Sequence, residues 1–398
     1  MADSQTLTAR WVFPVDRPPL LDGTITVRGD QIEAVEPFGT RTADENLGNV
    51  AILPGLVNCH THLDLTGMRG KCPPGPDFCE WLRGVVRDRL QRPTEQVEAD
   101  TSTGLAEASS YGTTLLGDIA NQGRSWAILA RSPIRSVVFY ELIGLTWPRA
   151  EAAWNSAGEW LKSHPATPTC LPGLSPHAPY SVHVQLFHGI ADLARQYKVA
   201  LATHLAETDD ELELLKNKSG PFVPFLTELG AWEPSGLVSG PPLVIRICKA
   251  STTALLIHCN HLAPTHGIPP NASIIYCPRT HAAFGHPPHP FREFLARGVR
   301  VALGTDSLAS NPDLDILAEA RFIRKKHPDV KGETLLRMLT LSGAEALGWA
   351  DETGSLTPGK SADLVVLPLP NEERADPHDL VFEADLPVAR TLWRGEWR

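Results

Sequence analysis

Two histidines separated by one residue, His60 and His62, stand directly after an apolar segment of the chain. The segment, residues 51–59, has the pattern of a buried strand. Because alternate side chains of a strand point to the same side, the two imidazoles can be directed at one point. Neutral imidazole is the commonest metal ligand in proteins, so the pair predicts half of a metal site.

Ligand-type side chains also close four apolar segments further along the chain. They are His177, His204, His258 and Asp306, and Glu207 follows His204 by three residues. A single histidine at a strand end is more often a hydrogen-bonded neutral residue than a ligand. Five strands that all deliver such side chains to one face favour a metal site.

We assign His60, His62, His204 and Asp306 to one divalent ion per chain. Three imidazoles and one carboxylate suit Zn²⁺, with Fe²⁺ as the alternative. Such an ion lowers the pKa of a bound water towards about 7, which makes hydrolysis available at neutral pH.

Three of the strand-end residues are predicted to be catalytic. Asp306 can accept the proton of the attacking water. His258 would orient the attacking oxygen or stabilise charge that develops on the substrate. Glu207, one turn beyond His204, would carry a proton to the leaving side of the substrate.

Eight apolar segments alternate with helical patterns, such as residues 184–197 and 209–229. Eight such units predict an α/β protein with a (β/α)8 barrel, whose sites lie where strands end. An open doubly wound sheet is the alternative, but it would need a glycine-rich turn where His-Thr-His stands. The connection at 260–271 is short for a barrel unit. The strand candidates are residues 51–59, 112–119, 136–143, 167–174, 199–203, 254–257, 273–277 and 299–304.

Short strand patterns at both ends of the chain predict a second, smaller domain. Residues 23–28 and 31–35 flank a Gly-Asp turn, which is a hairpin signal, and residues 362–367 and 388–397 have strand character. We therefore expect residues 1–53 and 354–398 to form a composite β-sandwich and residues 54–353 to form the barrel hydrolase domain.

The composition restricts the partners and the compartment. The net charge is −10 without a long basic run, which disfavours nucleic acids and anionic membranes and favours a small-molecule substrate. No apolar run approaches the roughly 18 residues of a membrane helix. Residues 1–5 lack the pattern of a secretory signal. The 7 cysteines are scattered singly, which fits a reducing compartment, and we expect a cytoplasmic protein.

Three motifs together resemble the amidohydrolase superfamily, in its cyclic-deaminase and chlorohydrolase branch. They are residues 53–63 (LPGLVNCHTHL), 203–207 (THLAE) and 303–307 (LGTDS). Residues 354–364 resemble the return of that superfamily into its β-sandwich. The resemblance implies a mononuclear metal site in a distorted barrel, and a homodimer is expected from it.

The resemblance also indicates the chemistry. Binuclear relatives bridge two metals with a carboxylated lysine after strand four, whereas residues 167–180 contain no lysine. His177 resembles the substrate-contacting histidine of adenosine- and S-adenosylhomocysteine-type deaminases. The same branch pairs a histidine placed like His204 with a glutamate placed like Glu207. This implies deamination of an aminated heteroaromatic ring, in which Glu207 protonates the ring nitrogen and ammonia leaves.

The segments 78–82, 175–181 and 220–226 resemble the aminodeoxyfutalosine deaminase group, which serves a menaquinone route. The implied substrate is a 6-aminopurine nucleoside. Trp81 either lines the substrate pocket or packs in the core. Residues 277–281 depart from the Pro-x-Ser-Asn motif of related deaminases, so Arg279 and His281 either bind a carboxylate or ribose of the substrate or shape the loop. The alternative function is amide or chloride hydrolysis on a guanine, triazine or imidazolone ring.

Overall fold

The computed structural model describes residues 4–398. Residues 1–3 belong to the predicted sandwich segment and to the N-terminal stretch without a secretory-signal pattern, and they lie outside the described residues. The described strands are β1 (Ser4–Thr8), β2 (Trp11–Val12), β3 (Leu20–Leu21), β4 (Thr24–Arg28), β5 (Gln31–Glu36), β6 (Glu45–Asn46), β7 (Val50–Pro54), β8 (Leu56–Thr61), β9 (Thr113–Asn121), β10 (Arg135–Leu142), β11 (Cys170–Pro176), β12 (Ala200–Leu205), β13 (Ala254–His258), β14 (Ala272–Tyr276), β15 (Arg300–Leu303), β16 (Leu364–Pro368), β17 (Arg390–Trp393) and β18 (Glu396–Trp397).

The described α-helices are α1 (Phe78–Gln91), α2 (Thr94–Ser110), α3 (Trp126–Leu129), α4 (Trp147–Ser163), α5 (Val184–Tyr197), α6 (Asp209–Asn217), α7 (Phe222–Glu228), α8 (Pro241–Cys248), α9 (Pro278–Ala283), α10 (Phe291–Ala296), α11 (Ile316–Lys326), α12 (Gly332–Leu339), α13 (Leu341–Ala346) and α14 (Pro377–Phe382). Short 3₁₀ helices cover Leu63–Met68 and Pro234–Gly236. Among the helices of the described chain, none is long and apolar enough to cross a membrane.

Strands β8 to β15 form one eight-stranded sheet in which neighbours in space are neighbours in the chain. Strands β10 to β15 pair in parallel. The backbone N–H of Asp306, which follows β15, donates to the carbonyl of His60 in β8 at 3.0 Å, so the sheet is nearly closed. A doubly wound sheet would reverse its strand order, and this sheet does not. The predicted (β/α)8 barrel is confirmed.

Two further sheets are built from both ends of the chain. One has the order β5-β4-β1-β6, and the other has the order β18-β17-β16-β7-β2-β3. The predicted hairpin is present, since β4 and β5 pair in an antiparallel manner. An antiparallel pairing between β16 and β7 joins the C-terminal strands to the N-terminal ones. Their core contains Leu7, Ile25, Ile52, Leu364 and Leu392, all at most 1% exposed.

The chain divides into two compact units. One comprises the described residues up to Asn58 with Ala106–Leu116 and Asp315–Arg398, and the other comprises Cys59–Leu105 with Gly117–Leu314. The domain boundaries expected from the sequence, at residues 53/54 and 353/354, stay a prediction. Every candidate site residue named above lies in the second unit.

Two predicted elements differ in the structure. Residues 51–59 form two strands rather than one, because the chain passes at Gly55 from β7 in the six-stranded sheet to β8 in the barrel. Residues 209–229 form two helices, α6 and α7, which are separated at Gly220 by a backbone with φ of +93°. Within the described chain, the short connection 260–271 has no helix.

Gly55 is expected to tolerate no side chain. Its N–H donates to the carbonyl of Asp363 at 2.8 Å, and an added Cβ would overlap the side chain of Thr114. We expect Gly55→Ala to lower the free energy of unfolding by about 1–3 kcal/mol, the usual cost of overpacking. Urea denaturation measures the change. Gly158→Ala is the control, because that glycine lies in α4 with open space around it. Equal stability of Gly55→Ala and the parent would contradict the overlap.

Candidate active site and metal centre

The side chains predicted from the strand ends converge in the second unit. His60 Nε2 lies 3.2 Å from Asp306 Oδ1, and His62 Nε2 lies 3.8 Å from the same oxygen. His62 Nε2 is 3.4 Å from His204 Nε2. The rings of His204 and His258 stack with their centroids 5.5 Å apart. All five side chains are buried.

The donor set fits a divalent metal ion. His60, His62 and Asp306 offer ligand atoms within 4.8 Å of one another, and so do His60, His204 and His258. Burial holds the pKa of His62, and likewise that of His204, well below the usual value, so both rings are neutral at pH 7. His204 Nδ1 donates to the carbonyl of His177 at 2.9 Å, which leaves the lone pair of His204 on Nε2, facing His62. A divalent cation would find its ligands among these groups.

Asp306 is fixed by a hydroxyl that the sequence gave no reason to single out. Ser310 Oγ donates to Asp306 Oδ2 at 2.8 Å, and Ser310 Oγ lies 3.0 Å from Thr280 Oγ1. Burial alone would raise the pKa of Asp306, but the imidazole of His60, whose Nε2 lies 3.2 Å from Asp306 Oδ1, is the first of the groups that hold that pKa well below its usual range. The carboxylate is therefore ionised, with Oδ1 left for the metal site.

Glu207 faces the imidazole of His258. Its Oε1 lies 3.4 Å from His258 Nε2, and its carbonyl accepts from Asn260 Nδ2 at 3.1 Å. Burial, assisted by the charges of Asp306 and Glu211, raises the pKa of Glu207 well above its usual value. This shift favours the protonated form that a general acid requires.

Glu211 holds the turn that carries Glu207. Its Oε1 accepts from the N–H of Ala206, and its Oε2 accepts from the N–H of Glu207, both at 3.0 Å. Ala206 has a φ of +49°, a strained backbone that these bonds support. Thr208 Oγ1 accepts from the N–H of Glu211 at 3.1 Å. The Thr-x-x-Glu spacing is a capping-box signal, so the sequence could have revealed this residue.

Glu211→Gln is expected to displace Glu207. One of the two backbone N–H groups would then face an amide NH₂ instead of an oxygen. We expect kcat/KM to fall about 10- to 100-fold, the effect of losing a charge-assisted hydrogen bond near the reacting atoms, with metal content unchanged. Glu213→Gln is the control, because Glu213 bonds only Asn217 and Ser219 outside the site. A parent-like rate in Glu211→Gln would show that the turn holds without this carboxylate.

Three of the four proposed metal ligands, His62, His204 and Asp306, line a cavity with about 980 Å³ of space not filled by protein atoms, a volume that includes open solvent. His177 and Trp81 line it, as do His62, His204, Glu207, His258 and Asp306. Trp81 Nε1 donates to the carbonyl of Ala309 at 3.2 Å. Burial lowers the pKa of His177 to about 3, so this ring is neutral. Much of the remaining wall is apolar and includes Leu65, Phe78, Leu82, Val85, Val86, Ile143, Leu145, Phe225, Leu226 and Leu229.

Two candidate substrate-binding residues have protein partners instead. Arg279 binds both carboxylate oxygens of Asp313, at 2.6 and 3.1 Å, and is not among the residues that line the cavity. His281 Nε2 donates to the carbonyl of Pro287 at 2.9 Å. Their contact with a substrate stays a prediction.

Sequence reasoning missed Arg89 and Glu141, which also line the cavity. Arg89 Nη1 donates to Glu141 Oε2 at 2.9 Å, and both side chains are largely buried. Glu141 is the last residue but one of β10, and because the strand predicted from the sequence ran on to residue 143, this polar residue near the strand end was passed over. Arg89 comes from α1, and the strand-end signal does not extend to helices.

The family model described as the amidohydrolase family matches residues 51–397. The chain therefore belongs to the amidohydrolase family, and it is a hydrolase that acts on carbon–nitrogen bonds other than peptide bonds. Both the family and the enzyme class predicted from the motifs are confirmed.

Among the relatives, a 5-methylthioadenosine/S-adenosylhomocysteine deaminase of Moorella thermoacetica is 30% identical over 398 residues, which cover 95% of this chain and 88% of the relative. The structure is similar to that of Helicobacter pylori aminofutalosine deaminase in complex with methylthio-coformycin, with a TM-score of 0.86, 23% identity and coverage of 99% and 100% of the two chains. It is also similar to an adenosine deaminase of Xanthomonas campestris with bound zinc, with a TM-score of 0.81, 24% identity and coverage of 99% and 92%. These structures share its fold.

Proposed function

We propose that this protein is a metal-dependent hydrolytic deaminase of a 6-aminopurine nucleoside and releases ammonia. One observation carries the proposal. Glu207, whose pKa burial raises, lies 3.4 Å from His258 and lines a largely apolar cavity together with His62, His204 and Asp306. A planar heteroaromatic ring can pack against the apolar side chains that line this cavity. Its ring nitrogen can receive a proton from Glu207.

The metal would be held by His60, His62, His204 and Asp306, where it would lower the pKa of an attacking water. Asp306 accepts one proton from the water as its oxygen adds to C6, and Glu207 donates its proton to N1 of the ring. In the second half of the reaction, Asp306 returns its proton to the amino group, which leaves as ammonia. The proton of the new hydroxyl passes to Glu207 as the C6 carbonyl forms. Both carboxyl groups regain their starting states.

His258 and His177 position the reacting ring in this scheme. Burial holds the pKa of His258 well below the usual value, so its neutral ring beside Glu207 can hold the attacking oxygen by a hydrogen bond. His177 is bonded through Nδ1 to Ser181 Oγ at 2.7 Å, which fixes the ring and leaves Nε2 towards the cavity. Trp81 supplies an aromatic face.

The proposed substrate is aminodeoxyfutalosine, in line with the motifs of residues 78–82, 175–181 and 220–226. The second candidate is 5′-methylthioadenosine or S-adenosylhomocysteine, which is favoured by the 30% identical deaminase with that name. All of these are 6-aminopurine nucleosides with a substituent on the 5′ carbon.

Ammonia release from a substrate panel, with metal content measured on the same sample, tests the function. The panel contains adenosine, S-adenosylhomocysteine, 5′-methylthioadenosine and aminodeoxyfutalosine, beside guanine and a chlorotriazine. Turnover of a nucleoside by metal-loaded protein is expected, with aminodeoxyfutalosine giving the highest kcat/KM. Release from guanine, or turnover of the triazine, without any nucleoside activity would overturn the proposal. Protein that binds no metal would overturn the mechanism.

We further propose that each chain binds one zinc ion, forms a homodimer and works in the cytoplasm on a menaquinone route. All seven cysteines are free, which is consistent with a reducing compartment. Elemental analysis gives the ion and its stoichiometry, light scattering gives the oligomeric state, and fractionation of the source cells gives the compartment.

A further inference from the structure

The ion pair between Arg89 and Glu141 lines the same cavity, yet the reaction described above uses neither residue. Arg89 Nη2 lies 3.5 Å from His62 Nδ1 and 3.4 Å from Asp64 Oδ2. Glu141 is 3% exposed and receives Arg89 Nη1 on Oε2. A buried pair of this kind is costly to desolvate, so its presence beside the reacting groups calls for a reason.

Glu141 Oε1 has no hydrogen-bond donor within the described chain. His177 Nε2, at 4.0 Å, lies beyond hydrogen-bonding distance. A buried carboxylate oxygen without a donor carries a desolvation cost that a ligand can remove. Because Arg89 fixes the other oxygen and Glu141 lines the cavity, Oε1 is positioned to accept a hydrogen bond from a bound substrate.

The neighbouring charges favour a neutral donor. Arg89 pairs with Glu141 and also with Asp64, and its guanidinium would repel a cationic substrate group beside Glu141. Burial alone would lower the pKa of Arg89, but the carboxylates of Glu141 and Asp64 outweigh it and raise that pKa, so Arg89 stays charged. A hydroxyl donates a hydrogen bond without adding charge, which makes it the fitting partner.

The order of the strands places this acceptor along one edge of a purine. Glu141 is the last residue but one of β10, His177 follows β11 and Glu207 follows β12, and these strands are consecutive in the barrel. In a purine nucleoside, N1, N3 and the sugar-bearing N9 follow one another around one edge of the ring system. If N1 of the purine lies beside Glu207, N3 lies beside His177. The sugar on N9 then lies beside Glu141.

We propose that Glu141, held by Arg89, accepts a hydrogen bond from a ribose hydroxyl of the substrate. The 2′,3′-diol is then a determinant of specificity that free bases and triazines cannot satisfy. This inference rests on the proposed nucleoside deaminase function.

The test compares kcat/KM for adenosine, 2′-deoxyadenosine and 3′-deoxyadenosine in the metal-loaded protein and in Glu141→Ala. In the parent protein, removal of at least one of the two hydroxyls is expected to lower kcat/KM about 10- to 100-fold, as for a hydrogen bond to a charged group. In Glu141→Ala the same ratio is expected to fall to within about 3-fold of unity. The control is Glu151→Gln, an exposed carboxylate of α4, which should keep the parent ratio.

Glu141→Ala leaves Arg89 without its partner, so the variant can fail to fold. Glu141→Gln is therefore measured beside it, because the amide keeps the shape of the side chain and an acceptor for Arg89. In Glu141→Gln, the ratio of kcat/KM for adenosine to kcat/KM for the deoxynucleoside is expected to be at least about 3-fold smaller than in the parent, because a neutral acceptor forms a weaker hydrogen bond.

Two results would overturn this inference and leave the proposed function intact. One is a parent protein that deaminates all three nucleosides with kcat/KM values within 3-fold of one another. The other is a folded Glu141 variant that keeps the full preference of the parent. A parent protein that deaminates no nucleoside but hydrolyses another ring would instead overturn the proposed function, and this inference with it.

Discussion

His62→Ala and Asp306→Ala are each expected to reduce turnover to the background rate and to lower the metal content of the purified protein. Each change removes one side chain from the set in which His62 Nε2 lies 3.8 Å from Asp306 Oδ1 and 3.4 Å from His204 Nε2. Loss of the ion removes several kcal/mol of transition-state stabilisation, so the rate should fall at least about 10³-fold. Ammonia release and elemental analysis of the same sample measure both effects.

The matched controls lie on α5, outside the site. His188→Ala and Asp192→Ala remove the same residue types from exposed positions, and both should keep the parent rate and metal content. If His62→Ala retained a full complement of metal and the parent rate, its assignment as a ligand would be wrong. A variant that bound metal fully but lost turnover would leave the histidine in the mechanism and remove it from the ligand set.

The barrel could be predicted because its strands are continuous apolar segments closed by polar residues. Helix α5 begins and ends at the predicted residues, 184 and 197. The passage of the chain from β7 to β8 could not be predicted, since residues on both sides of Gly55 are apolar and an apolar run does not tell to which sheet it belongs. The break between α6 and α7 could have been predicted, because residues 216–220 contain no apolar side chain apart from glycine and the Gly-Pro dipeptide at 220–221 is a turn signal.

The convergence of the strand-end residues was likewise predictable, since a parallel barrel brings its carboxyl ends to one face. The residues that position these strand-end side chains could not be predicted. Ser310 lies in a loop and Arg89 on a helix, and each reaches the site only through the tertiary fold. The partner of Arg279 is Asp313, 34 residues further on, and no local pattern links the two.

Glu207→Gln is expected to lower kcat about 10²- to 10⁴-fold, the usual contribution of general acid–base catalysis, while metal content stays at the parent level. Glutamine has nearly the shape of the protonated carboxyl group that burial favours here, so binding of the substrate should change little. What the amide lacks is a proton acidic enough to pass to the ring nitrogen. Steady-state kinetics with the best nucleoside of the panel measures the loss, and Glu213→Gln is the control.

A chlorinated substrate separates the two proton transfers in which Glu207 could take part. Chloride leaves 6-chloropurine riboside without a proton, whereas water still adds more easily to a ring whose nitrogen is protonated. If Glu207 protonates the ring nitrogen, Glu207→Gln should lose rate to a similar extent on the chloro and the amino substrates. A loss of rate confined to the amino substrate would show that Glu207 protonates the departing amino group rather than the ring nitrogen. Full activity on both substrates would remove it from the mechanism, and the proton would then have to come from another buried group, with His258, 3.4 Å from Glu207, as the first to test.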